Sequence, residues 1–200
     1  MLSGILESST NTGSDSDIRV QFTAPLNITS KKNVLSGETL SLRRIVSESS
    51  AAQRWEITAG LSPLSGYEFI MQAFFKGYSK DFFIHIPQPY RASENYGSNS
   101  PQLASLYAAG VEDLTLASGT VVAGTFIQFT GQDKVYFVAK VVNQAFTIVP
   151  RLQAPLASLA VKTGAFVTLR AKMSVENING ITFTDGILPE TTQMTFLEVV

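Results

Sequence analysis

Residues 124–156, GTFIQFTGQDKVYFVAKVVNQAFTIVPRLQAPL, contain three apolar segments separated by short polar breaks. The segments at 126–129, 134–142 and 145–149 are rich in Phe, Val and Ile, residues that favour β-strands. The breaks at 130–133 and 143–144 have the length and polarity of hairpin turns. The stretch therefore predicts three consecutive antiparallel strands, and it carries no obvious catalytic group.

The composition of the 200-residue chain predicts one large or two small β-rich domains. Apolar residues make up 44% and charged residues 16%, which is enough to bury a core and is atypical of disorder. The net charge is −1 with no basic stripe, so we expect no nucleic-acid specificity. The absence of cysteine excludes disulfides and thiolate metal sites. No segment has the pattern of a membrane span or a signal peptide, so we expect neither membrane insertion nor export by that route.

The region before this stretch predicts a β-domain. Ile18, Val20 and Phe22 alternate with polar residues, and Pro25 is expected to end that strand. Residues 53–59 alternate in the same way, and Trp55 is expected to anchor a core there. Between these strands we expect a turn at 36–37, a strand at 40–45 and a polar loop at 47–52.

Residues 65–78 predict the one helix. Ser65 and Glu68 form a capping box, and the aromatic and aliphatic residues that follow recur at helical spacing. We expect this helix to pack across a sheet face. A strand at 81–87 should follow and end at Pro87.

Domain organisation follows from a long polar loop at 88–113, which marks a boundary. Residues 17–100 are predicted to form a β-sandwich-type hub domain, completed by residues 173–200, with a strand at 192–200 joining its sheet. Residues 111–172, including a strand at 165–171, are predicted to form a small inserted barrel of the OB or SH3-like kind. Residues 1–16 are interpreted either as a frayed terminus or as an arm that orders against a neighbouring subunit through Leu2, Ile5 and Leu6.

Catalytic chemistry is not indicated. The single histidine, His85, is expected to be a structural or solvent-facing residue on the outward side of its strand, and no nucleophile elbow accompanies it. Carboxylates lack the spacing of a calcium loop or a glycosidase pair. We therefore predict no catalytic residue, no cofactor site and no metal site.

The order of the motifs resembles a family of tailed-bacteriophage virion proteins, the distal tail proteins. The resemblance is carried by QRWE at 53–56, the apolar helix, the Phe-rich strand at 82–87 ending in proline, and the terminal MTFLEVV at 194–200. It is also carried by AGTFIQF at 123–129, KVYFV at 134–138 and PRL at 150–152. The match covers most of the chain from about residue 40 onward.

The resemblance implies a structural protein of the phage tail tip or baseplate, not an enzyme. Such proteins assemble as a ring, commonly a hexamer, which joins the tail tube protein to the central hub and anchors baseplate or tail fibre proteins. The implied location is the tail of the virion, after synthesis in the host cytoplasm.

A second hypothesis is a carbohydrate- or receptor-binding module of the tail tip. Tyr90, Tyr96 and Tyr107 in the long loop are the candidate stacking residues, with packing at a subunit interface as their alternative role. Arg151 is placed either at an interface or at the barrel rim. A third hypothesis, an enzyme acting on the host envelope, would have to use His85.

Overall fold

The computed structural model describes residues 4–6, 18–38, 44–61, 81–88, 101–174, 183–184, 188–189 and 192–199. These residues form mainly β-strands, and the one helix among them is a single 3-10 turn at Gly164–Phe166. The prediction of a mainly β fold is confirmed.

The described residues contain strands paired in an antiparallel manner throughout. In chain order they are β1 (Gly4–Leu6), β2 (Ile18–Glu38), β3 (Arg44–Leu61), β4 (Phe82–His85), β5 (Gln102–Leu103), β6 (Asp113–Ser118), β7 (Phe126–Phe129), β8 (Val135–Val142), β9 (Ala145–Val149), β10 (Val161–Thr163), β11 (Thr168–Met173), β12 (Phe183–Thr184), β13 (Leu188–Pro189) and β14 (Thr192–Glu198).

Six strands close into a barrel in the order β1-β2-β3-β14-β11-β4, with β4 pairing back to β1; we name it the first barrel. Closure leaves each strand paired on both sides over part of its length, which removes exposed sheet edges there. β14, near the end of the chain, lies between β3 and β11. The prediction that the closing strand joins the sheet of the earlier strands is confirmed.

The core of the first barrel is built by period-2 alternation. On β3, Trp55, Ile57 and Ala59 are buried, whereas Glu56 and Thr58 between them are only half-buried. Phe82 and Phe196 meet across this core in an edge-to-face contact with ring centroids 5.6 Å apart. The expected role of Trp55 as a core anchor is confirmed.

The chain between β4 and β11 builds a separate six-stranded sheet in the order β10-β7-β8-β9-β6-β5, which we name the second sheet. Its two end strands meet, because Leu103 N donates to Leu159 O at 2.8 Å and Val161 N donates to Pro101 O at 3.0 Å. Curling in this way encloses a core that includes Phe129, Tyr136 and Ile148. The three strands predicted in the opening stretch appear at 126–129, 135–142 and 145–149.

The strand that begins at Ile18 was predicted to end at Pro25, and this prediction is wrong. β2 continues to Glu38, and the irregularity that proline imposes is absorbed by a register shift between Thr23 and Leu26. The expected turn at 36–37 and the expected loop at 47–52 also lie within strands, in β2 and β3. Their small polar residues form a long hairpin instead of a break.

The placement of a strand at 165–171 in the small barrel is wrong as well. β11 (Thr168–Met173) pairs with β4 on one side and with β14 on the other, so it belongs to the first barrel. The alternating burial of Leu169, Ala171 and Met173 serves that core. Sequence alternation identified a strand here but carried no information about its sheet.

The predicted sandwich-type arrangement of the hub domain differs from the observed one, because the strands of the first barrel close on themselves.

Two predicted segments and one predicted side-chain position remain to be compared with the structure. The helix predicted at 65–78 lies outside the described residues, as do 89–100 of the predicted loop. His85, expected on the outward side of β4, is 4% exposed and therefore buried, so a solvent-facing position is wrong.

Candidate assembly surfaces and the junction between the two sheets

The β2–β3 hairpin extends beyond the first barrel. β14 pairs with β3 only as far as Glu56, and β1 pairs with β2 only as far as Gln21. Residues 33–38 and 44–49 pair solely with each other among the described strands, and we name them the arm. At about 3.3 Å per residue, six paired positions extend about 20 Å. Both outer edges of the arm present backbone donors and acceptors without a strand partner in the described chain.

A break in register separates the arm from the barrel. Lys31 pairs with Arg54, and the next pair is Asn33 with Ser49. Lys32 alone therefore stands opposite the four residues 50–53. An unequal count of this kind bends and twists a hairpin. The arm thus leaves the barrel at a defined bend.

The bend lies beside the junction between the first barrel and the second sheet. Gln53, fully buried, has its backbone O outside the regular ladder, where it accepts from Lys134 Nζ at 2.9 Å. The Gln53 side chain accepts from the same ammonium at 2.9 Å and donates to Ser30 Oγ at 3.0 Å. Lys134, which directly precedes β8 of the second sheet, thereby holds Gln53 in place where the arm begins.

Lys134 also forms a buried ion pair with Glu198. Their side chains are 3% and 0% exposed, and Lys134 Nζ donates to Glu198 Oε2. Trp55 N and Val135 N donate to the two oxygens of this carboxylate, each at 3.0 Å. Burial lowers the pKa of Lys134 and raises the pKa of Glu198, and the attraction within the pair opposes both shifts. Every charge at this point is met by hydrogen bonds.

Apolar contacts surround the ion pair. Trp55 Nε1 donates to Val135 O at 2.8 Å, and its ring meets Phe126 edge-to-face at 5.3 Å. Phe126 in turn contacts Phe137 at 5.5 Å. Val135 therefore belongs to the core of the first barrel although its strand is in the second sheet. The first barrel and the second sheet, the two units of the described chain, therefore share one continuous buried contact.

Two further links join the units at the periphery. The Gln88 side chain accepts from Phe126 N at 3.0 Å and donates to Phe126 O at 3.2 Å, as a neighbouring strand residue would. Arg170 on β11 donates to Asp81 at 2.8 Å and to Asp133 at 2.8 Å. Both hydrogen bonds to carboxylate raise the pKa of Arg170. The second sheet is fixed in orientation on the first barrel.

The N-terminal interface candidates are partly placed. Ile5 and Leu6 lie in β1, where their backbones pair with β2 on one side and with β4 on the other. Leu2 lies outside the described residues. A contact of these three residues with a neighbouring subunit stays a prediction, and the backbone of β1 is already used within the chain.

The tyrosine candidates and Arg151 are also only partly placed. Tyr107 is half-buried against the core of the second sheet, and its hydroxyl accepts from Thr115 N at 2.9 Å. Arg151 is exposed and pairs with Glu112 at 3.0 Å. Tyr90 and Tyr96 lie outside the described residues. The proposed roles of all four residues stay predictions.

Sequence reasoning missed the junction residues. One signal was present, because Glu198 shares the alternation phase of the buried Met194 and Phe196. A carboxylate on an apolar strand face requires a buried partner. Lys134, 64 positions earlier, precedes its strand and gave no such signal.

Across the described ranges, no three His, Asp or Glu side chains cluster as metal ligands would. No helix in those ranges has the length and apolar character needed to cross a bilayer. In comparisons with known proteins, no family model matches this chain and no curated protein matches it significantly.

Proposed function

We propose that this chain is a structural subunit of a bacteriophage tail tip or baseplate, similar to distal tail proteins. It assembles as a ring, expected to be a hexamer, between the tail tube protein and the central hub. The proposal rests on the sequence resemblance together with an arrangement suited to assembly. Its location is the tail of the virion, after synthesis in the host cytoplasm.

The observation that carries the proposal is the arm. Residues 33–38 and 44–49 project beyond the first barrel, and the outer edge of β2 has no described partner after Gln21. An unpaired strand edge is a template for pairing with another chain. Main-chain hydrogen bonds to such an edge supply contact energy without demanding particular side chains. A ring forms when each arm lies against the next copy of the first barrel.

The second sheet is assigned to the periphery of the ring as an OB- or SH3-like barrel that anchors baseplate or tail fibre proteins. Its rigid attachment supports this role. The Lys134–Glu198 pair, Trp55 and Phe126 hold it in one orientation on the first barrel. A peripheral unit that anchors other proteins must transmit force without rotating on its support.

Electron microscopy of the purified protein, alone and mixed with tail tube protein, tests the proposal. We expect closed rings of uniform diameter, with analytical ultracentrifugation giving a single assembled species. Particles that remain monomeric at every concentration, including in the presence of the tail tube, would refute the assembly role.

A further inference from the structure

Three buried side chains from distant parts of the chain meet at one nitrogen atom where the first barrel joins the second sheet. Lys134 Nζ donates to the side-chain oxygen of Gln53 at 2.9 Å, and it also donates to Glu198 Oε2. All three residues are at most 3% exposed. An amine, a carboxamide and a carboxylate are therefore enclosed together in the interior.

The amine and the carboxamide are the reactants of an amide exchange, in which a lysine displaces ammonia from a glutamine. Lys134 Nζ lies within hydrogen-bond distance of the Gln53 carboxamide, which is itself fixed because Gln53 Nε2 donates to Ser30 Oγ at 3.0 Å. Holding two reactants in contact replaces a bimolecular encounter and removes much of the entropic part of the barrier. The fold therefore supplies the proximity that this reaction requires.

Glu198 supplies the proton acceptor that the reaction needs. An ammonium has no lone pair, so Lys134 must pass one proton to Glu198 Oε2 before its Nζ can attack the amide carbon of Gln53. Burial lowers the pKa of Lys134 and raises the pKa of Glu198, and both shifts favour this transfer against the attraction within the pair. The carboxylate that holds the ammonium is thus also placed to deprotonate it.

The atoms and protons of the exchange balance within these three side chains. The bond from Lys134 Nζ to Gln53 Cδ forms, and the bond from Cδ to Nε2 breaks. Glu198 gives its proton to the departing nitrogen and takes the second proton from Nζ, so neutral ammonia leaves and Glu198 ends protonated. Two buried charges are replaced by a secondary amide and a neutral acid. Because two ions in the interior are costly, their neutralisation favours the product.

We propose that Lys134 and Gln53 form an isopeptide bond after folding, with Glu198 as the proton acceptor and donor. A carboxamide is a weak electrophile, so the bond forms slowly, and the ion pair holds the junction until then. The bond ties the base of the arm covalently to the second sheet and joins positions 81 apart in the chain. It does not depend on ring assembly, so rings without the bond, or the bond without rings, would separate the two proposals.

The test is intact-mass spectrometry of the purified full-length chain, followed over days at room temperature. We expect a species to accumulate whose mass is lower by one ammonia. Proteolysis of that species should release a branched peptide that joins the segment around Gln53 to the segment around Lys134. In denaturing electrophoresis the same species should migrate faster, because a chain closed into a loop cannot extend fully.

Variants assign the roles. Lys134→Arg keeps the positive charge but removes the amine, so it should keep its full mass, and Glu198→Gln should form the bond more slowly or not at all. Lys31→Arg is the matched control, because Lys31 pairs with Glu56 at 3.2 Å and its side chain is 60% exposed. That variant should lose ammonia at the parent rate.

Three results would overturn the proposal. The first is a parent protein that keeps its full mass throughout. The second is an ammonia loss that maps to residues other than Gln53 and Lys134. The third is a Glu198→Gln variant that forms the bond as fast as the parent, which would leave the proton transfers without their group.

Discussion

At the scale of single residues, the Lys134–Glu198 pair is the most consequential contact between the two units. Both side chains are buried, and each is surrounded by hydrogen-bond partners from β3, from β14 or from the start of β8. Removing two charges from water is costly, and the pair persists because its geometry compensates. We therefore expect the pair to select one relative orientation of the first barrel and the second sheet, because both charges keep their hydrogen bonds only in that orientation.

Removing one partner leaves the other charge buried. Lys134→Met and Glu198→Gln should each lower the free energy of unfolding by about 3–5 kcal/mol. The double variant should lose less than the sum of the single losses, because no uncompensated charge remains. Urea denaturation of the four proteins measures this coupling.

The exposed Arg151–Glu112 pair is the control, with side chains 58% and 46% exposed. Arg151→Met should cost less than about 1 kcal/mol. Losses that simply add in the Lys134 and Glu198 double variant would contradict the interpretation of a coupled pair.

Tyr136 provides a second residue-scale prediction, on pH. It is fully buried, its hydroxyl donates to Gln132 Oε1 at 3.1 Å, and burial raises its pKa to about 12. In an unfolded chain, the pKa of a tyrosine phenol is about 10. The folded state therefore retains this proton where the unfolded state loses it, so stability is complete below about pH 10 and falls as the pH rises toward about 12.

Denaturation between pH 9 and about pH 12 should show this loss, worth at most about 3 kcal/mol for Tyr136. In Tyr136→Phe the part of the alkaline loss that comes from this phenol should disappear, although the variant is less stable at neutral pH because two hydrogen bonds are gone. Identical alkaline slopes for the two proteins would show that Tyr136 does not ionise on unfolding.

At the scale of elements, the arm is separable from the barrel that carries it. The pairings that close the first barrel lie on residues 18–31 of β2 and 54–61 of β3. The arm begins only after the register break at Lys32. Within the described chain, the strand pairing that joins the arm to the barrel is therefore confined to its base.

Replacing residues 33–49 by Asn-Gly should leave the fold intact and abolish assembly. Circular dichroism and the urea midpoint should stay close to those of the parent protein, because the pairings of residues 18–31 and 54–61 are kept and a short loop of Lys32, Asn-Gly and residues 50–53 joins them. Analytical ultracentrifugation should then detect only monomer. A shortened protein that still forms rings would assign assembly to another surface.

Some elements could be predicted from the sequence and others could not. The hairpins between Phe126 and Val149 were predictable, because their turns are polar and their strands apolar. The passage of β2 through Pro25 was not, since a bulge absorbs the proline and only the partner strand reveals it. The sheet membership of β11 depends on pairing with β4 and β14, which lie far away in sequence. Local alternation predicts strands but not their neighbours.

The candidate sites follow the same division. Trp55 was predictable as a core residue from alternation alone, whereas its hydrogen bond to Val135 O depends on docking of the two units. Tyr107, singled out as an exposed aromatic residue, is tied to Thr115.

At the scale of the whole molecule, one hydrogen-bond network connects the base of the arm to the junction between the first barrel and the second sheet. The register break at the base of the arm frees the Gln53 carbonyl, and Lys134 of the second sheet binds it. Glu198, at the end of β14, completes the same network. The direction of the arm is thereby tied to the orientation of the second sheet. In a ring, this coupling would set each peripheral unit by the way in which neighbouring subunits meet.

Cryo-electron microscopy of intact phage particles that contain this chain tests the assembly role most directly. We predict copies in a closed ring around the tail axis at the end of the tail tube, with residues 33–49 of each copy lying against the next. The second sheets should project outward in one orientation. Absence of the chain from the particle, or copies attached singly without contact between neighbouring first barrels, would contradict the proposed function.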